Sequence, residues 1–272
     1  MNYEFTYIAP SRSEELVELL SNNSNTKMIL AGGTDLIPSI RLGAFKPDTV
    51  IDIKKIPEHR IIKYDEKDGL SIGAAVTVNE LIENRIAQSK YRALVLAGKE
   101  LASNQIRNRA TVIGNICNAS PCADMALPLL CLGAKVILVS ARGRREMLLQ
   151  DFFAGVKKTQ LGLDEYCERI TVPSEYSNSS AGFKKLKRIK GHDLALVSVC
   201  VTRNQNLIRI AVGSSAPTPV FAGEFDKKVT HEKIIREVLK KVNPIDDIRA
   251  SREYRLFMLE AYLKRILKEI SR

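Results

Sequence analysis

Two short runs of small and polar residues, each preceded by apolar chain, constrain this sequence more than any other feature. The first is Ala31-Gly32-Gly33-Thr34-Asp35, entered from the apolar Met28, Ile29 and Leu30. The second is Thr111-Val112-Ile113-Gly114-Asn115, which continues to Asn118, Ser120 and Asp124. Glycines in the first permit a tight turn in which successive N–H groups point at a phosphate. Thr34 and Asp35 add side-chain hydrogen bonds to the same ligand or to the loop itself. The second run offers hydroxyl, amide and carboxylate groups suited to ribose and pyrophosphate. Each also has a plainer reading: a strand-to-turn connection for the first, a loop whose side chains cap its neighbours for the second. Neither GxGxxG nor GxxxxGK followed by Ser or Thr occurs, so a Rossmann site and an ordinary P-loop are not signalled.

The surrounding chain alternates strands and helices. Ser11-x-x-Glu14 has the pattern of a capping box, and Leu16, Val17, Leu19 and Leu20 repeat at helical spacing, which predicts a helix over 12–21. Apolar strands over 28–31 and 50–53 complete a compact β/α unit. Strands over 61–65 and 70–78 follow, joined through the hairpin signal Asp68-Gly69. A second capping box, Thr77-x-x-Glu80, opens a helix near 78–84. A longer helix is expected over 91–102, then a polar loop over 103–109. Weak periodicity over 111–124 predicts a loop, followed by a helix near 125–132 and a strand over 135–139. Residues 176–182, YSNSSAG, read as a linker. Beyond them, strands over 193–202 and 207–212 flank the turn Asn204-Gln205-Asn206, and Ala216-Pro217-Thr218-Pro219 stops that sheet. Basic helices over 230–242 and 249–270 end the chain.

Length and composition narrow the function classes. A chain of 272 residues allows one or two domains and a core that needs no disulfide or metal staple. Apolar residues at 45% and charged residues at 27% exclude wholesale disorder. No apolar run reaches the ~18 residues of a membrane span, and residues 1–10 lack the regions of a secretory signal, so a cytoplasmic protein is expected. The five cysteines, at 117, 122, 131, 167 and 200, then read as reduced thiols. Cys117-x4-Cys122 has neither a CxxC pair nor a nearby histidine, so no metal site is expected. None of the three histidines adjoins a nucleophile motif, and His192 beside Asp193 reads as solvated or packed. No catalytic acid–base or nucleophile constellation is expected. The net charge of +11 is uneven: residues 176–272 carry 20 Lys/Arg against 10 Asp/Glu, while residues 1–175 carry 22 against 21. Nucleic acid, an acidic protein partner and a solvated surface each account for such an excess.

Five segments taken together carry a resemblance. LAGGTDLIP (30–38), QIRNRATVIGNICNASPCAD (105–124), FKKLKRIKGHDLALVSV (183–199), GSSAPTP (213–219) and RASREYR (249–255) span nearly the whole chain. In that order they resemble the FAD-binding medium subunits of molybdenum hydroxylases, the xanthine dehydrogenase and carbon-monoxide dehydrogenase family. The resemblance implies an α+β fold: a vanillyl-alcohol-oxidase (PCMH)-type FAD-binding domain of two α/β subdomains, over about 1–57 and 58–175. A C-terminal domain over 176–272, with a small antiparallel sheet and helices, would follow. It implies that Leu30, Ala31, Gly32, Gly33, Thr34 and Asp35 cradle the FAD pyrophosphate together with Thr111, Val112, Ile113, Gly114 and Asn115. Asp124 would hold the adenosine ribose with Asn118 near it, Lys185 falls on the family's FAD-contacting lysine, and Gln105 to Asn108 would shape the second loop. Cys167 stands where the family presents a main chain near the adenine. Ile113 is a departure, since the family commonly has two glycines where this chain has Ile113-Gly114. No counterpart of the flavin-linking histidine found in the wider fold is evident, which implies non-covalent FAD. The cysteine-rich insertion of the benzoyl-CoA reductase branch is absent.

By the same resemblance, molybdopterin lies on a large partner subunit and two 2Fe–2S clusters on a small one. FAD would collect their electrons and pass them to NAD or another acceptor. A rival reading makes the chain a basic nucleic-acid-binding module without flavin. It rests on FKKLKRIK (183–190), five cations in eight residues. A strand with a solvated basic face explains that run as well.

Overall fold

The computed structural model describes residues 3–22, 25–189 and 191–271. The N-terminal part is a parallel three-stranded sheet. Its elements are β1 (Thr6–Ile8), α1 (Ser13–Ser21), β2 (Lys27–Leu30), α2 (Leu36–Arg41) and β3 (Thr49–Asp52), with strand order β1-β3-β2. Parallel neighbours require crossovers, which α1 and α2 supply. All four residues of the central β3 are buried, and Leu16 and Leu20 of α1 face the core. The capping box expected at Ser11 does not form: Arg12 is the N-cap, and Ser11 N instead donates to Glu15 Oε2 at 3.0 Å.

The second sheet is antiparallel and larger. It begins with the hairpin β4 (Ile62–Asp65) and β5 (Gly69–Gly73), the latter ending earlier than expected. The capping box at Thr77 forms as expected and opens α3 (Val78–Glu83). Next come α4 (Arg85–Lys90), α5 (Arg92–Glu100), α6 (Asn104–Arg107), α7 (Val112–Cys117) and α8 (Ala126–Cys131). The sheet is completed by β6 (Lys135–Ser140), β7 (Gly143–Leu148) and, after α9 (Leu149–Phe152) and the small hairpin β8 (Phe153–Gly155) and β9 (Lys158–Thr159), by β10 (Tyr166–Val172). Its strand order is β4-β5-β10-β6-β7. Two stretches expected as loops are thus helical. The hydroxyls of Ser103 and Thr111 accept from Ile106 N and Gly114 N, which starts α6 and α7 without any need for apolar periodicity.

The third sheet is an antiparallel meander of β11 (Ser180–Leu186), β12 (Val197–Arg203), β13 (Leu207–Gly213) and β14 (Val220–Asp226), followed by α10 (His231–Lys240) and α11 (Arg252–Ile270). The expected linker is short and anchored, because Asn178 N donates to Lys90 O at 2.6 Å and β11 begins at Ser180. The prolines after Ala216 end β13, but the sheet continues into β14.

Both faces of this sheet are covered. Val197, Val199 and Val201 alternate with Ser198, Cys200 and Thr202, so one set packs under α10 and α11 while the other meets α8. All six residues of α8 are buried, and Cys200 and Ala211 belong to the same apolar cluster as the first two sheets. Arg209 reinforces the junction. Its guanidinium lies 4.6 Å from the rings of both Tyr176 and Phe221, and its Nε donates to Cys131 O at 2.7 Å.

Candidate cofactor site

The first loop leaves β2 at Leu30 and is held from beneath. Lys54 Nζ donates to Ala31 O at 3.0 Å and pairs with Asp52 Oδ2 at 2.7 Å, an oxygen that also accepts from Tyr7 OH. Burial raises the Asp52 pKa, but the hydrogen bonds from Lys54 and Tyr7 outweigh it and hold the carboxyl below its ordinary value. At Gly33 the backbone has φ +74°, the left-handed region that favours glycine. Gly32 is required for a different reason. A Cβ there would stand 2.1 Å from Arg109 O, so the first loop lies directly on the residues that precede the second. Thr34 and Asp35 then lead into α2, with Ile37 N donating to Gly33 O.

The second run is secured by backbone and amides. Thr111 pairs with Thr77 in an isolated bridge, flanked by Val78 N to Ala110 O at 2.8 Å and Val112 N to Val76 O at 3.1 Å. Asn79 donates to Asn104 Oδ1 and Asn108 Oδ1 and accepts from Arg107 Nε, which places the 104–108 turn behind Thr111. Val112 and Ile113 are core residues, so the isoleucine that replaces a family glycine fills apolar space. Asn115 Oδ1 accepts from Met125 N at 3.2 Å, tying α7 to the turn that carries Asp124.

Asp124 is the most unusual group in this region. Lys185 Nζ lies 2.7 Å from its Oδ2, with side-chain exposures of only 3% for Lys185 and 7% for Asp124. The same ammonium donates to Glu100 O at 3.1 Å, at the end of α5. Oδ1 of Asp124 is buried and, among the described residues, has no hydrogen-bond partner. Burial pushes the Asp124 pKa up to about 6, even though Lys185 opposes the shift.

The two runs meet where Gly32 lies on Arg109, and of the expected residues Cys167 stands apart. Lys185 reaches Asp124 from β11, although 61 residues separate them. Cys167 lies in β10 opposite Leu138, and its thiol turns into the core against Cys117 of α7. The hydrogen bond with Cys117 and burial together hold the Cys167 pKa well above the ordinary thiol value. Sequence reasoning passed over Lys54 and Lys157. Lys157, in the turn between β8 and β9, donates to Asn118 Oδ1 at 2.8 Å and lies 4.0 Å from Asp35 Oδ1. Its signal was faint: a lysine in a Gly-Val-Lys-Lys hairpin turn, remote in sequence from both loops.

Comparison with known proteins shows the family. Residues 3–175 match the family model described as the FAD binding domain in molybdopterin dehydrogenase, and residues 181–270 match the CO dehydrogenase flavoprotein C-terminal domain. The chain belongs to the FAD-binding subunits of the molybdenum hydroxylases. This FAD-binding subunit is 31% identical to the glyceraldehyde dehydrogenase medium chain of Sulfolobus acidocaldarius, covering 98% of this chain and 99% of that one. It is 33% identical to the xanthine dehydrogenase FAD-binding subunit of Escherichia coli O157:H7, covering 94% and 92%. Among solved structures, carbon monoxide dehydrogenase from Hydrogenophaga pseudoflava superposes with a TM-score of 0.90 at 30% identity, over 100% of this chain and 99% of that one. The FAD-binding subunit is thus an oxidoreductase chain with the PCMH-type fold, its antiparallel sheet and helices following at the C-terminus. Among the described residues, no helix is long and apolar enough to cross a membrane.

The nucleic-acid reading of this subunit finds no support. Lys184 pairs with Glu269, Lys185 with Asp124, Lys187 with Glu100 and Arg188 with Asp193. The basic run is neutralised within the protein rather than offered to phosphates; Lys190 lies outside the described residues.

Proposed function

We propose that this subunit relays electrons from the 2Fe–2S clusters of a small partner subunit to NAD or another acceptor, in a cytoplasmic complex whose large subunit carries molybdopterin. Support comes from relatives that are medium chains of dehydrogenases and from a site whose residues suit a dinucleotide. Bound FAD supplies the redox chemistry, taking up single electrons and giving up pairs.

The chain's own residues bind and orient. Ala31 to Asp35 and Thr111 to Asn115 form the pyrophosphate seat, with Leu30 closing the strand behind it and Asn118 beside it. Asp124 receives the ribose, and the observation that carries this is its buried Oδ1, which has no partner among the described residues. Such an atom is costly unless a donor reaches it, and a ribose hydroxyl is a donor of the right kind. Lys185 acts through Asp124 by holding Oδ2, and the Cys167 main chain would contact the adenine. The flavin is held without a covalent bond.

Two experiments test the reading. Acid precipitation of the purified chain should leave the yellow colour in solution; colour in the pellet overturns non-covalent binding. Mixing the oxidised flavoprotein with pre-reduced iron–sulfur subunit in a stopped-flow instrument should bleach the flavin absorbance. An unchanged flavin spectrum would remove the relay.

A further inference from the structure

We propose that Lys157 is the cation that neutralises the cofactor's diphosphate, an assignment that rests on reading the two loops as the pyrophosphate seat. Among the described residues, three lysines touch that site, and two are already committed. Lys54 and Lys185 each stand 2.7 Å from a carboxylate oxygen, of Asp52 and Asp124 respectively. Lys157 is different. Its nearest carboxylate oxygen is 4.0 Å away on Asp35, and the two side chains are 52% and 65% exposed. A pair so long and so solvated is worth little, so the ammonium is available to a stronger anion.

The lysine is also held in place. Lys157 N donates to Ala119 O at 3.0 Å, and the residue adopts φ +57°, a conformation uncommon for a side-chain-bearing residue. Its Nζ donates to Asn118 Oδ1 at 2.8 Å. An ammonium has three donors, so the bond to Asn118 leaves others for phosphate oxygens. The need for a cation follows from the loops themselves. They supply N–H and hydroxyl groups, yet Asp124 has its charge offset by Lys185, which leaves the Asp35 carboxylate to repel a doubly anionic diphosphate. Lys157 bridges the two runs at Asp35 and Asn118 and offsets that repulsion. The hairpin β8–β9 thereby becomes part of the cofactor site.

The test titrates the full-length flavin-free chain with FAD and, separately, with riboflavin, which has no phosphate. Lys157→Met should weaken FAD about tenfold, as loss of a charge-assisted contact does, and should flatten the salt dependence of its affinity. Lys157→Arg should stay within about threefold of the parent, because the charge is kept. Riboflavin should bind all three proteins equally, which also shows that the variants fold. Gly33→Val, which cannot hold φ +74° without strain, serves as the probe of the loops. Unchanged FAD affinity in Lys157→Met, with FAD lost from Gly33→Val, overturns the lysine assignment and leaves the loop reading standing. Unchanged affinity in both removes the loop reading and the lysine's role with it.

Discussion

At the scale of single residues, Asp124 decides most. In the free chain burial sets its pKa at about 6. A hydroxyl donated to Oδ1 favours the ionised form, so FAD binding displaces a proton whenever the pH lies below that value. Affinity should therefore fall by about tenfold for each pH unit below about 6, and Asp124→Asn should flatten the profile. Equal pH profiles for parent and variant would remove Asp124 from the ribose. The flavin-free protein should show the opposite trend. Its folded state holds a proton that the unfolded chain, with an ordinary pKa of 3.8, has released, so its stability should decline as pH rises from about 4 to about 6. Denaturant midpoints across that window check the sign. Gly33 drew attention in the sequence through the Gly-Gly turn after a strand, and Asp124 through the family resemblance. Lys54 and Lys157 went unread, since their roles arise from contacts between distant segments. Gly32 carries a further requirement that the sequence did not reveal, since a Cβ there would stand 2.1 Å from Arg109 O.

At the scale of elements, the long periodic segments and the hairpins at Asp68-Gly69 and Asn204 to Asn206 were readable, while α6, α7 and the strands β7 to β10 were not. Helices of four and six residues offer too little sequence for a 3.6-residue period, and a single capping hydroxyl settles their starts. The Ser11 capping box failed because Glu15, one residue beyond the expected partner, took the Ser11 N–H. Arg209 was also invisible beforehand, as an arginine in an otherwise apolar strand. In the structure it caps the end of α8 through Cys131 O while stacked between Tyr176 and Phe221. Arg209→Ala should cost about 2–4 kcal/mol, the sum of a lost hydrogen bond to a buried carbonyl and two cation–π contacts. Thermal unfolding of the flavin-free protein measures this. A melting temperature equal to the parent's would show that the arginine pins nothing.

At the scale of the whole molecule, the uneven charge bears on assembly. The cations from Lys184 to Arg188 are internally paired, so the excess of residues 176–272 must act through other positions, such as exposed Lys227, Lys228 and Lys268. A positive surface speeds encounter with acidic partner chains more than it adds affinity. Moderate salt should slow assembly with the molybdenum and iron–sulfur subunits without dissolving the formed complex. Gel filtration of co-expressed and of freshly mixed subunits distinguishes the two effects, and dissociation of the formed complex by moderate salt would refute the idea. The domain limits 1–175 and 176–272, which we propose from the order of sheets, divide the sequence more cleanly than they divide the core. Helix α8 belongs to the first segment but has β12 and β13 of the second laid across it. A ribosome that has released only the first 175 residues has therefore exposed a helix that can lie against α5 and α9 but is bare on the face where β12 and β13 will pack. Asp124 likewise lies in that segment while its partner Lys185 arrives only with β11, so the buried ion pair closes after the first 175 residues have been made.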